Sequence, residues 1–152
     1  MNLKGLKKFL VQAKLSTYAK SGEADEKVLP DGSKQFEYKE GNFKYLDRYK
    51  GYNSFFGKEV VSFQNKPVWE MNYRGEVKKD VAAPKEVYQF LKKALQPVTI
   101  AKPFRGPSHF ASGRFDYVNQ VKGDINKFQG TEIIKKDDQK VYHLDYYGGL
   151  KG

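Results

Sequence analysis

Glu59 and Glu132 occupy similar surroundings 73 residues apart, each followed by two aliphatic residues, Val60-Val61 and Ile133-Ile134. A carboxylate held on an aromatic strand face can receive a cationic or hydroxylated ligand, and burial there raises its pKa. Hairpin geometry decides the face. A three-residue loop in each hairpin would put Glu59 with Val61, Trp69, Met71 and Tyr73, and Glu132 with Ile134, Tyr142, Leu144 and Tyr146. A loop of two or four residues would place Glu59 opposite Asn72 and Glu132 opposite Asp145. Both registers stand open in the sequence, and so does a purely structural role in which each glutamate caps backbone or pairs with a lysine. Two carboxylates also suit glycoside hydrolysis if they face each other about 5–10 Å apart, a distance that no spacing here fixes.

Arg105 lies in "PFRGP", between two prolines. A guanidinium held in a stiff turn can clamp a phosphate or carboxylate through two parallel hydrogen bonds, or it can pair with an acid of its own chain. His109 and His143 are the only histidines, and with no acidic cluster nearby they make a poor metal site. The chain has no cysteine, which excludes disulfides, thiolate catalysis and cysteine-based zinc or iron–sulfur centres. No serine sits in a nucleophile elbow, and no glycine-rich loop follows a strand to cradle phosphate. No catalytic residue, metal or cofactor is therefore expected. An enzyme using paired carboxylates or a Tyr/Arg site ranks last among the functional readings.

The formal net charge of +10 invites a nucleic-acid partner. Lys4, Lys7, Lys8, Lys14 and Lys20 occur in the first 22 residues with no acid among them. Tyr49, Tyr52, Tyr73, Tyr146 and Tyr147, interleaved with lysines, could stack on bases, although the aromatic strands of a β-rich core give the same count. No segment approaches the ~20 apolar residues of a membrane span. The N-terminus has no apolar run of signal-peptide length, which fits a cytoplasmic location.

These residues need elements to position them. Residues 3–19 read as a helix, with Leu3, Leu6, Leu10 and Ala13 at spacings of three and four. Residues 20–34 read as a polar loop. From Gln35 to Val77 the pattern alternates as strands do; Phe43 and Tyr45 share a face, in a series that Asp47 and Tyr49 would continue. Residues 84–96 make the clearest helix, with Pro84 at its first position and Val87, Phe90, Leu91, Ala94 and Leu95 in one stripe. Residues 97–113 read as an ordered crossing, and "RFDYVNQV", "GTEIIK" and "VYHLDYY" return to strands.

Phe55–Gly75 and Phe128–Gly148 superpose without a gap. Phe55, Gly57, Glu59, Val68, Tyr73 and Gly75 recur as Phe128, Gly130, Glu132, Val141, Tyr146 and Gly148. A helix precedes each block. The expected fold is therefore α+β within a single domain, 1–152. It is an internal duplication of a helix-plus-antiparallel-strands unit, about 3–77 and 84–150, with two helices packed on antiparallel sheet and pseudo-twofold symmetry. A cleft at the junction of the two units is a natural ligand position.

The motifs "FLVQAKLSTYA", "FFGKEVV", "WEMNYRG", "PFRGP" and "VYHLDYYGGL" resemble, in order and over nearly the whole chain, a family of uncharacterised bacterial domains described as a domain of unknown function. Some relatives carry the domain behind a helix-turn-helix DNA-binding segment, which this sequence lacks because its first helix already belongs to the domain. The resemblance implies a regulatory or sensor-like role and names no catalytic residue. Together these observations lead to a non-enzymatic domain binding a small molecule or a protein partner. Glu59, Trp69, Tyr73, Arg105, Glu132, Tyr142 and Tyr146 are its candidate ligand-binding residues, and nucleic-acid binding is the alternative.

Overall fold

The computed structural model describes residues 1–22 and 24–152; Glu23, inside the loop expected over 20–34, lies outside the described residues. Helix α1 spans Leu3–Ser16 and begins where the Asn2 side chain accepts hydrogen bonds from the backbone N–H groups of Lys4 and Gly5. Helix α2 spans Pro84–Leu95 and starts on its proline, with Glu86 in the first turn and Lys92 and Lys93 in the last, as the helix dipole favours. The strands are β1 (Lys27–Val28), β2 (Lys34–Glu40), β3 (Phe43–Lys50), β4 (Phe55–Phe63), β5 (Lys66–Val77), β6 (His109–Ser112), β7 (Phe115–Asp124), β8 (Lys127–Lys136) and β9 (Gln139–Leu150). Two short pieces, β1 and β6, occupy stretches expected as loop and crossing. They end the sheet on brief edges, which limits unwanted pairing.

All nine strands form one antiparallel sheet in the order β1-β2-β3-β4-β5-β9-β8-β7-β6. This overturns the expected α+β duplication of two helix-plus-strand units with pseudo-twofold symmetry. Strands take 49% of the chain and helices 17%, so the molecule is mostly β. The physical reason lies at the centre. Strands β5 and β9, each 12 residues long, pair edge to edge from Trp69↔Leu150 to Val77↔Tyr142. The strands of the two expected units are instead joined side by side in one sheet, which removes two open edges.

Strand alternation gives the sheet a buried face and a wet face. Tyr45, Val61, Trp69, Met71, Tyr117, Ile134, Tyr142 and Leu144 are fully buried and share one core with Leu6, Leu10, Val87 and Ala94 of the helices. Phe9 of α1 stacks on Phe43 at 4.9 Å, and Phe90 of α2 stacks on Phe115 at 5.0 Å. The opposite face carries exposed charges such as Arg48, Lys58 and Arg74.

Hairpin register resolves the face of the two glutamates by a route the sequence did not offer. The β4–β5 turn has two central residues, Gln64 and Asn65, at φ 50° and 65°, as a tight hairpin of the type I′ class requires. A register shift after Val61 then slips one residue, so Glu59 faces Met71. Asp137 and Asp138 (φ 49° and 65°) repeat this between β8 and β9, with the shift after Ile134, and Glu132 faces Leu144. A two-residue loop plus a bulge thus reaches the inward register that was expected only of a three-residue loop.

Candidate functional site

Five ionisable side chains other than tyrosine are buried among the described residues: Lys14, Asp47, Glu59, Arg105 and Glu132. Each owes its place to a local rule. Lys14 follows Leu10 by one helical turn and so falls on the apolar stripe of α1. Asp47 continues the inward series Phe43, Tyr45 on β3. Its strand partner is Glu59 of β4, which sets two carboxylates side by side. Arg105 is carried inward by the crossing, where Phe104 anchors the turn by stacking on Phe128 at 4.3 Å. The Asn119 side chain fixes the same turn by donating to the Gly106 carbonyl at 3.0 Å.

The cations are already matched. Lys14 Nζ donates to Glu59 Oε1 at 2.6 Å, with both side chains fully buried. Arg105 Nε and Nη2 donate to Glu132 Oε2 and Oε1 at 3.0 and 2.9 Å, a bidentate pair. Glu132 also accepts from Tyr117 at 2.5 Å and Tyr142 at 3.1 Å, so its lone pairs are well used. Burial disfavours the charge on Lys14 and lowers its pKa, against the opposing pull of Glu59. Burial also works against the Arg105 charge, but Glu132, Tyr18 and Tyr142 together outweigh it and the guanidinium pKa lies above its ordinary value.

Among the described residues no cation forms an ion pair with Asp47, and its one side-chain hydrogen bond comes from Tyr73, whose hydroxyl donates to Oδ1 at 2.5 Å. Burial, with the neighbouring Glu59 carboxylate adding to it, raises the Asp47 pKa to about 7, while Tyr73, Lys14 and Arg105 pull it down. Burial likewise pushes the phenols of Tyr18 and Tyr45 well above the usual range, with Glu59 next in effect.

Asp47 and Arg105 also form the charged floor of a cleft of about 580 Å³. Its walls come from Tyr18 beyond α1, Phe36 of β2, Tyr49 of β3, Phe55 of β4, Tyr73 of β5 and Tyr88 of α2. Tyr52 stands at its mouth, 60% exposed, and meets Tyr88 edge to face at 5.3 Å. Lys34, Lys50, Lys92 and Glu26 also border it. The volume falls within the ~300–1,000 Å³ usual for small-molecule sites.

Of the seven residues expected to bind ligand, Tyr73 and Arg105 border this cleft. The other five sit elsewhere. Glu59 is fully buried behind the floor on Lys14; Glu132 and Tyr142 serve the Arg105 cluster. Tyr146 donates to Asn119 at 2.7 Å, and Trp69 stacks on Phe128 at 5.7 Å in the core. Sequence reasoning missed Asp47, Lys14, Tyr18 and Tyr88 as site residues. The first two carried a signal, a charge on an otherwise apolar period; Tyr18 and Tyr88 join the cleft only through tertiary packing. His109 and His143 are partly or fully exposed and contact Asp116 and Asp145 respectively. No group of metal-binding side chains occurs among the described residues. No helix among them is long and apolar enough to cross a membrane.

Comparison with curated proteins and with solved structures finds no match. Comparison with protein families does: residues 47–150 match from Asp47, on the cleft floor, to Leu150 at the end of β9, and the chain belongs to the family described as a domain of unknown function (DUF5680).

Proposed function

We propose that this chain is a non-enzymatic domain that binds a small organic molecule in the cleft above Asp47 and Arg105, in a sensor or regulatory role. One observation carries this reading: the aromatic-walled cleft ends on two buried, charged side chains. Apolar walls with a few convergent polar groups are the general pattern of ligand sites. Buried ionic groups are weak contributors to stability, since apolar replacements are often as stable or more so, and of the buried carboxylates Asp47 is the one that borders the cleft.

Nucleic-acid binding draws support mainly from the charge of +10. Two features that suggested it weigh less in the fold, since Lys14 is fully buried and Tyr73 and Tyr146 point into the core.

Thermal-shift screening against a library of small metabolites tests the ligand reading, with the native chain beside Tyr88→Ala, which opens one wall. A ligand at ~100 times its Kd stabilises by about 2.7 kcal/mol. Hits that raise the melting temperature of the native chain and lose that effect in Tyr88→Ala are the expected outcome. A library that yields no hit, or hits indifferent to Tyr88→Ala, would overturn it.

A further inference from the structure

We infer that the cleft is built for an organic cation, a primary or secondary amine with an aromatic or other apolar body, whose ammonium group is received by Asp47. The inference rests on the small-ligand reading above and names the chemistry of the ligand.

Charge balance is the first argument. The buried set holds three carboxylates, Asp47, Glu59 and Glu132, and two cations, Lys14 and Arg105. Lys14 is bound to Glu59 and Arg105 to Glu132, each in direct contact. The carboxylate left over is Asp47, and it is the one of the three that borders the cleft. A cation entering from the cleft completes the balance. An anion would meet Asp47 directly, while the guanidinium beside it is already engaged by Glu132 along two hydrogen bonds.

The walls are the second argument. Aromatic faces attract cations through the ring quadrupole, and the rings around this floor already do so for the protein's own cations. Arg105 lies 5.4 Å from the Tyr18 ring and 5.6 Å from the Tyr73 ring, and Lys14 lies 5.6 Å from Tyr18. Tyr18 also holds a buried hydroxyl with no hydrogen-bond partner among the described residues. An N–H-bearing ammonium, unlike a quaternary one, can donate to Asp47 and to such a hydroxyl. The apolar body then lies between Phe36, Tyr49, Phe55 and Tyr88.

Of the groups that oppose a cation, Lys14 and Arg105 are each paired with a glutamate, and the others are at the mouth. Lys34 lies 3.6 Å from Glu26, Lys92 donates to the Gly22 carbonyl, and Lys50 is exposed. Water and salt screen such surface charges far more than they screen Asp47. The groups facing Asp47 itself are Lys14 from α1, Tyr18 beyond it, Tyr45 and Tyr49 on its own strand, Glu59 from β4, Tyr73 from β5 and Arg105 from the crossing. Burial and the Glu59 carboxylate place the Asp47 pKa at about 7. Amine binding should therefore strengthen as pH rises through about 7 and Asp47 loses its proton.

Isothermal titration of the full chain with phenethylamine, 2-phenylethanol and 3-phenylpropionate, matched in shape but not in charge, tests this. Phenethylamine is expected to bind most tightly at pH 8, and to weaken on the order of tenfold at pH 6 as Asp47 takes up a proton. Asp47→Asn should abolish the preference for the amine over 2-phenylethanol. Tyr88→Ala, at a partly exposed wall, should weaken all three probes and serves even if Asp47→Asn folds poorly. Equal or tighter binding of 3-phenylpropionate or 2-phenylethanol, lost in Tyr88→Ala, overturns the amine assignment and leaves the cleft reading intact. Failure of phenethylamine to bind, or amine binding indifferent to pH and to both substitutions, overturns the assignment as well. The library screen decides the cleft reading separately.

Discussion

Asp47 is held where a carboxylate is least comfortable, beside Glu59 and away from water, and its behaviour should be visible in the stability of the whole chain. Its pKa is about 7 in the fold against 3.8 when exposed. Between those values the folded state binds more protons than the unfolded one, so stability should fall as pH rises from about 4 to about 7. The upper bound on that loss is about 4 kcal/mol, at ~1.4 kcal/mol per pKa unit. Asp47→Asn should flatten the profile across that window, read as melting temperature against pH; a slope unchanged by the substitution would contradict the account. Glu132 offers the complementary case, since it neutralises Arg105 and accepts from Tyr117 and Tyr142. Glu132→Ala strands a buried guanidinium and should cost about 3–5 kcal/mol, measured by urea unfolding. The double replacement Arg105→Leu with Glu132→Leu should recover most of that loss, because it leaves no charge unpaired. The inward location of Glu132 and the pairing of Arg105 with an acid of its own chain were both among the alternatives open in the sequence. Their meeting was not legible, because it joins the crossing to β8 across 27 positions.

At the scale of elements, the strands were largely legible and their register was not. Alternation reveals which residues of Phe43–Tyr49 share a face, and a helical stripe reveals α2, because both are local periodicities. The bulges at the ends of β4 and β8 answer to tertiary burial, and no local signal separates a three-residue loop from a two-residue loop followed by a slip. Glycine supplies another element-scale device. Tyr73 of β5 lies across Gly57 of β4, where a Cβ would overlap the phenol ring, and Tyr146 of β9 lies across Gly130 of β8 in the same way. The missing side chain gives each ring its seat. Gly57→Ala should displace Tyr73, break its hydrogen bond to Asp47 and destabilise by about 1–3 kcal/mol. The same substitution should weaken any ligand that sits on Asp47. An unaltered melting temperature would show that the Tyr73 ring is not so tightly seated.

For the whole molecule, the seam between β5 and β9 determines the architecture, and it is the feature that the sequence reading inverted. Two similar strand blocks suggested two helix-plus-strand units; their long last strands, β5 and β9, instead pair along one edge. Trp69, the only tryptophan, reports on this seam because it stacks on Phe128 of β8. Phe128→Ala should shift Trp69 emission to longer wavelength and cost about 3–5 kcal/mol, whereas an unchanged spectrum would contradict the stacking. The cleft draws on the same assembly, because its lining combines β2–β5 with Tyr88 of α2 and Arg105 of the crossing. Chemical-shift mapping with phenethylamine at pH 8 tests the resulting account most directly. The account predicts perturbed backbone signals concentrated at Tyr18, Asp47, Tyr49, Tyr73, Tyr88 and Arg105, and their loss in Asp47→Asn. Perturbations spread over the exposed lysines of α1, or none at all, would contradict it.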